Sequence, residues 1–225
     1  MSLSRIIIVD PSLARVHRKK DHKGVANLKL LTPLAMLTKS VIVLAIVWSG
    51  YSVFILKDFE VFGENHLLEN LQALTLIAVL AVYMVSMLQS HRSDRLLCVF
   101  FVWLTVGFLL REIDIDELDL PAFLIQWGSG SGRNLLLALA FGTMVISALV
   151  RLRFYIGLAK QFLVSKPGVM TLASGVLLIV GDICEKVSFT HHVFFEEVFE
   201  LIAYAVLLRA ATLLVRCPVE PKAAI

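Results

Sequence analysis

The sequence predicts an all-α membrane protein, a bundle of six transmembrane helices with both termini in the cytoplasm. Composition, the lengths of the apolar runs and the placement of Lys and Arg lead to this fold class. The 225 residues are 58% hydrophobic and 17% charged, whereas a soluble domain is about half apolar and about a quarter charged. With a mean hydropathy of +0.83, this composition excludes a disordered chain, a disulfide scaffold and an ordinary cytosolic enzyme.

Apolar runs mark the candidate spans. A helix needs roughly 20 residues to cross the hydrocarbon core, and several runs are shorter, so we expect flanking residues to snorkel or the bilayer to thin. No alternating strand pattern is visible, which favours helices over a barrel. The six predicted spans are Val41 to Leu56, Leu67 to Leu88, Leu96 to Leu110, Leu135 to Val150, Gly168 to Ile183 and Val193 to Val215.

The distribution of Lys and Arg predicts the orientation. With six spans, 17 of the 21 basic residues fall on one side, and the other side has only Lys57, Arg111, Arg133 and Lys186. Because cytoplasmic loops carry the excess of basic residues, we expect a basic cytoplasmic arm over 1–39, a transmembrane domain over 40–216 and a cytoplasmic tail over 217–225. The arm has no signal-peptide pattern, and we expect a multi-pass protein of a bacterial-type plasma (inner) membrane.

The longest predicted outer loop covers residues 112–134. It begins with acidic residues, turns apolar at Pro121 to Trp127 and continues as the sequence GSGSGR. Ala122 to Trp127 could form a short re-entrant or interfacial piece. The glycine-rich run lacks the GK[ST] ending of a phosphate loop and follows no strand, so we expect it to serve as a flexible entry into the fourth span.

Carboxylates are even more unevenly placed than basic residues. On the predicted topology 14 of the 18 lie at or near the outer face, so the formal net charge of +3 divides into +13 inside and −10 outside. Several occupy the outer ends of apolar helices, and one bundle would bring four such ends to a similar depth. The candidate binding residues there are Glu69, Arg111, Glu112, Asp182, Glu196 and Glu200.

Helix dipoles account for only part of this cluster. Glu69 and Glu196 lie in early helical turns, where a carboxylate is favourable by about 0.3–1 kcal/mol. Glu112 and Asp182 lie at carboxyl-terminal ends, where the dipole opposes them, so they need cations. Glu200 lies about 12 Å of helix beyond His192, where an isolated carboxylate costs a few kcal/mol. The cations within reach are Arg111, Arg133 and Lys186.

Three interpretations of the cluster remain open. It could be a structural ion-pair network in a non-catalytic accessory subunit. It could bind or pass a small cation or polar solute from the outside, which is the role we expect. It could also belong to a metal-dependent enzyme that processes lipid or envelope components, although the HExxH pattern is absent. The candidate metal ligands are His66, His192 and Glu196, and the sequence identifies no cofactor.

The lipid bilayer is the predicted partner. The basic arm could attach to anionic lipids, although basic residues beside a first span are also explained by topology alone. The arm lacks interleaved aromatic residues, which argues against nucleic acid. A membrane-protein partner or a homo-oligomer is compatible with the sequence. Cys98, Cys184 and Cys217 fall at different depths, so no disulfide is expected.

Overall fold

The computed structural model describes residues 40–57, 67–88, 95–113, 115, 121–187 and 190–216. These residues form helices and contain no strand. The predicted arm and tail, and the candidate ligand His66, lie outside the described residues. The helices are α1 (Ser40–Leu56), α2 (Leu67–Leu88), α3 (Arg95–Glu112), α4 (Ala122–Gly128), α5 (Gly130–Leu149), α6 (Leu152–Val164), α7 (Lys166–Lys186) and α8 (His192–Arg216).

Four helices are long and apolar enough to cross a membrane, namely α2, α5, α7 and α8. They coincide with four of the six predicted spans. The other two predicted spans differ from these four. Helix α1 is shorter, with 17 residues, and helix α3 is more charged, since its 18 residues include Arg95, Arg111 and Glu112. A span count of six and the orientation therefore stay predictions.

Helix α8 is the centre of the bundle. In its most apolar stretch 61% of the residues are buried, whereas in the corresponding stretch of α5 only 6% are buried. A helix that is apolar on all sides is expected in the interior, and α8 packs against α2 and α7. Helix α1 adds a small cluster in which Ile42 and Val53 meet Leu68 of α2 and Phe194 and Leu201 of α8. Helix α3 packs on α2, and α5 packs on α3 and α4.

The outer surface of the bundle is apolar. On α7 a row of large apolar side chains is about half exposed at spacings of three and four residues, so it follows one helix face. Exposed apolar patches of this extent are unusual on soluble monomers and suit contact with lipid. The residues of this row are Val169, Leu172, Val176, Ile179 and Ile183.

Two short helices lie outside the six predicted spans. Helix α4 matches the apolar piece expected over Ala122 to Trp127. Helix α6 lies in the segment between the fourth and fifth predicted spans, for which the sequence analysis predicted no helix. The helix forms because Leu158 and Phe162, four residues apart, bury one face, while Arg153 and Lys160 remain exposed on it.

The glycine-rich run forms a tight elbow between α4 and α5, with only Ser129 between them. Gly130 has a φ of +48°, a conformation that favours glycine. A Cβ at position 132 would overlap the backbone carbonyl of Gln126. The run predicted as a flexible entry is therefore constrained by close backbone approach, which explains why glycine recurs there.

Gly132→Ala should destabilise the protein because the added methyl group forces the α4–α5 elbow open. Thermal unfolding in detergent should show a clear loss of stability. Gly142→Ala is the matched control on the same helix, since its Cβ would meet nothing within 4 Å. That variant should be neutral or slightly stabilised, by up to about 1 kcal/mol of helix propensity. Equal effects of the two substitutions would contradict the role given to the elbow.

Candidate functional site

The amino-terminal ends of α2 and α8 meet the carboxyl-terminal ends of α3 and α7 at one end of the bundle. Side-chain contacts link α2 to α8 through Gln72 and Glu197, and α3 to α8 through Arg111 and Glu200. We call these four residues, with Glu112 of α3, the acidic cluster. The convergence that one bundle would produce is thus present in the structure.

Arg111 lies between two buried carboxylates. Its Nη2 donates to Glu200 Oε1 at 2.5 Å, and its Nε lies 4.0 Å from Glu112 Oε1. The Glu200 and Glu112 side chains are only 3% and 6% exposed, whereas the Arg111 side chain is 49% exposed. A half-exposed guanidinium is therefore the cation for two carboxylates that are buried away from solvent.

Tyr204 supplies the second partner of Glu112. Its hydroxyl donates to Glu112 Oε1 at 2.7 Å, and its ring lies 5.9 Å from that of Phe108, between centroids. Tyr204 is fully buried and lies one helical turn beyond Glu200, so both side chains leave α8 on the same face. Glu112 is consequently held by a charge on its own helix and by a hydroxyl from α8.

Gln72 of α2 holds Glu197 by its amide nitrogen. Nε2 donates to Glu197 Oε2 at 2.7 Å and to the Glu197 carbonyl at 3.0 Å. The Gln72 side chain is completely buried, and its Oε1 has no hydrogen-bond partner. A buried acceptor without a partner carries a desolvation cost of about 1–3 kcal/mol, which a bound donor or cation would relieve.

Helix α7 reaches the cluster through a glycine. A Cβ at Gly181 would lie 3.3 Å from Glu200 Cγ and 3.5 Å from the Glu196 carbonyl, so the absence of a side chain lets α7 approach α8 here. One to two turns away, Ser174 Oγ donates to the Ala203 carbonyl at 2.8 Å. Small residues of this kind permit close helix packing in membranes.

The three available cations have different partners. Arg111 serves Glu200 and Glu112, as described above. Lys186 pairs with Asp182 at 2.6 Å, with both side chains largely exposed. Arg133 donates to the Leu110 carbonyl at 3.0 Å and so caps the end of α3. Asp182 therefore belongs to a surface ion pair and is not a direct member of the buried cluster.

Glu69 and Glu196 lie near the cluster and act on it electrostatically. Both are half-buried. Glu69 adds negative potential at Glu112, and Glu196 interacts electrostatically with Glu200. Of the candidate metal ligands, His192 and Glu196 are described. Among the described residues no group of three or more His, Cys, Asp or Glu side chains is arranged to hold a metal ion.

Sequence reasoning did not select several residues that build the site. The predicted set lacked Gln72, Glu197, Tyr204, Gly181 and Ser174. Two of them were within reach of the pattern, because Gln72 shares a helix face with Glu69 and Tyr204 follows Glu200 by four residues. For these two residues the available signal was a polar side chain one helical turn from a candidate carboxylate. Gly181 and Ser174 carried none, since small residues are frequent throughout such helices.

Comparison with family models, curated proteins and solved structures found no match for this chain. Its class rests on the fold and the site: an all-helical chain with four membrane-compatible helices. A carboxylate-rich cluster lies where helices α2, α3, α7 and α8 converge.

Arg111→Gln should destabilise the fold because it leaves Glu200 buried without its cation. Breaking a buried ion pair costs about 3–5 kcal/mol, and we expect about 3 kcal/mol since Arg111 is half exposed. Lys186→Gln, which breaks the exposed pair with Asp182, should leave stability nearly unchanged because solvent screens surface ion pairs. Chemical unfolding of both variants in detergent measures the difference.

The double variant Arg111→Gln with Glu200→Gln provides the further check. It removes the orphaned charge and should recover much of the lost stability, as a coupling in the double-mutant cycle. If the two substitutions were simply additive, the ion pair would not be the link between α3 and α8.

Proposed function

We propose that this chain is an integral membrane protein of six spans, with the acidic cluster on the outer side. The two ends of the bundle support this orientation by their opposite charge. The acidic cluster occupies one end, and Arg95, Arg151, Arg153 and Lys166 lie at the other. Basic ends face the cytoplasm in membrane proteins, which places the carboxylates outside and, in a bacterial-type cell, on the outer face of the plasma membrane.

Cysteine labelling tests the orientation. In a background without the native cysteines, Ser131→Cys and Lys160→Cys place a thiol at an exposed position on each end. A membrane-impermeant maleimide should label position 131 in intact cells and position 160 only after permeabilisation. The reverse pattern would invert the topology, and labelling of both positions in intact cells would contradict a spanning arrangement.

The proposed role of the acidic cluster is to bind a small monovalent cation or a small solute with an ammonium group. One observation carries this proposal: the cluster holds the three carboxylates of Glu112, Glu197 and Glu200 but one guanidinium, which lies within 4.0 Å of Glu112 and Glu200, while Glu197 accepts from the neutral Gln72 amide. Buried carboxylates in a membrane protein pair, coordinate or take up protons. With Gln72 Oε1 also unpartnered, the cluster has an excess of buried oxygen acceptors.

Oxygen-only donors suit hard cations and hydrogen-bond donors. A metal-dependent lipid- or envelope-processing enzyme is the alternative, with His66, His192 and Glu196 as its candidate ligands. The half-exposed Arg111 side chain shows that one side of the cluster is open to the exterior, which gives a solute a way in.

Binding is better supported than passage. Beyond the cluster, the buried hydroxyls of Thr75, Thr105 and Ser174 donate to backbone carbonyls, so they offer no sequence of open polar groups. Leu201, Leu207 and Leu214 are buried along the same helix as Glu200. A cation in the cluster would have to cross this apolar interior or leave by the side it entered.

Thermal unfolding in detergent tests cation binding. The probes are the chlorides of sodium, potassium and ammonium, compared with N-methyl-D-glucamine chloride at the same ionic strength. A bound ligand at 100 times its Kd stabilises by about 2.7 kcal/mol, so we expect a saturable rise in Tm with at least one probe. Glu197→Gln and Gln72→Met should lose this rise while remaining folded.

Glu185→Gln is the charge-matched control, since it removes an exposed carboxylate at the end of α7. It should keep the saturable stabilisation. If wild type shows no dependence on any of the three cations, the cluster is structural, and the accessory-subunit interpretation replaces binding. The observations favouring that alternative are the Arg111–Glu200 pair and the Arg133 cap, both of which join helices.

A further inference from the structure

A second candidate site lies at the end of the bundle opposite the acidic cluster. It is a cavity of about 220 Å³ bounded by the first turns of α3, the last turns of α5 and one face of α6. Its lining is apolar except for one tyrosine hydroxyl. Residues from the three walls are Leu96 and Phe100, Met144 and Ala148, and Tyr155 and Leu158.

The cavity opens on the outer surface of the bundle. Val145, which also lines it, is 59% exposed, and Phe100 is 38% exposed. In a membrane this surface meets lipid chains, and water does not fill a cavity of such composition. The volume lies below the roughly 300–1,000 Å³ of sites that enclose a drug-sized ligand. The space therefore suits a segment of a chain and not a whole amphiphile.

Three basic residues lie close in sequence to the cavity lining, and Arg153 and Lys160 are on the face of α6 that points away from Tyr155 and Leu158. Arg151 follows the lining residue Ala148 by three positions, Arg153 precedes Tyr155 by two, and Lys160 follows Ala159 directly. All three basic side chains are exposed, and none forms an ion pair with a described residue. The sequence contains no Asp or Glu between positions 120 and 181. None of the described carboxylates therefore neutralises these three cations through an ion pair.

Helix α6 has the position of an interfacial helix. Two residues separate it from α5 and one from α7, so its 13 residues, about 20 Å long, join the ends of two membrane-compatible helices. Apolar side chains such as Phe154 and Ile156 are exposed alongside its cations. Helices of this composition lie at the boundary between acyl chains and headgroups.

We propose that the cavity holds an acyl-chain segment of an anionic phospholipid whose phosphate lies beside Arg151, Arg153 and Lys160. An apolar slot and a group of cations recognise the two halves of one amphiphile, and two such signals together give stable membrane attachment where one does not. The inference rests on the membrane placement proposed above. It is independent of cation binding at the acidic cluster and of which side the cluster faces.

Native mass spectrometry of the detergent-purified full chain tests the headgroup half. The probes are phosphatidylglycerol and phosphatidylcholine with identical acyl chains. Wild type should retain phosphatidylglycerol with at least about tenfold preference, since each basic residue near an anionic headgroup contributes a factor of about five. Arg153→Gln with Lys160→Gln should lose most of that preference. Lys57→Gln with Lys186→Gln, which removes the same charge elsewhere, should keep it.

Filling the cavity tests the acyl half. Ala148→Phe should abolish retention of both lipids, and Ala138→Phe, at an exposed position of the same helix, should leave it unchanged. Ala159→Leu offers a smaller filling variant if Ala148→Phe fails to fold by thermal unfolding. Equal retention of the two lipids by wild type, or undiminished retention by the folded filling variant, would overturn the proposal.

The cation titration of the same lipid variants separates the two proposals. Failure of the lipid site leaves the saturable cation response of wild type in place. Failure of the cation site leaves lipid retention in place, because the cavity and the acidic cluster lie at opposite ends of α3.

Discussion

The ion pair between Arg111 and Glu200 is the constraint on which the packing of this bundle depends. Glu200 lies on α8, the most buried helix, where a carboxylate without a partner would cost a few kcal/mol. Its cation comes from α3, which packs along α2. The register of α3 must therefore bring its last turn level with the third turn of α8.

The other polar contacts of α8 also provide partners for buried polar groups. Tyr204 donates to Glu112 and thereby adds a second link from α8 to α3. Gln72 satisfies Glu197 from α2, and Gly181 lets α7 close over Glu200. Three neighbouring helices thus meet the polar turns of one central helix. The acidic cluster therefore joins α2, α3 and α8 through the hydrogen bonds and the ion pair of its side chains.

The opposite end of the bundle differs in both charge and structure. Helix α6 closes the space between α5 and α7 with an apolar face, and its flanking cations have no described anion nearby. At one end the polar side chains of α2 and α3 contact α8, and at the other end an apolar cavity lies between α3, α5 and α6. The two ends are therefore chemically distinct. The first is rich in carboxylate oxygen atoms, and the second combines an apolar cavity with exposed basic residues.

The helical segments were largely predictable because length and hydropathy alone identify them. Helix α2 has the predicted bounds, and α3, α7 and α8 each extend beyond their predicted runs by one to three residues at either end. Helix α6 was not predicted because its basic residues were used only to assign the segment between two spans to the cytoplasmic side, and only Leu158 and Phe162 of the helix are buried. The elbow at Gly130 and Gly132 depends on backbone proximity, which a run of glycines does not specify.

The sequence by itself predicted a helical membrane protein, and four of its six predicted spans coincide with the membrane-compatible helices of the described residues. It also named Arg111, Glu112 and Glu200 as members of a cluster. Only the tertiary structure decided which cation serves which carboxylate, assigning Lys186 to Asp182 and Arg133 to a backbone carbonyl. The reason is physical: hydropathy and charge are sums along one chain, whereas an ion pair depends on distances of a few ångströms between helices that are far apart in sequence.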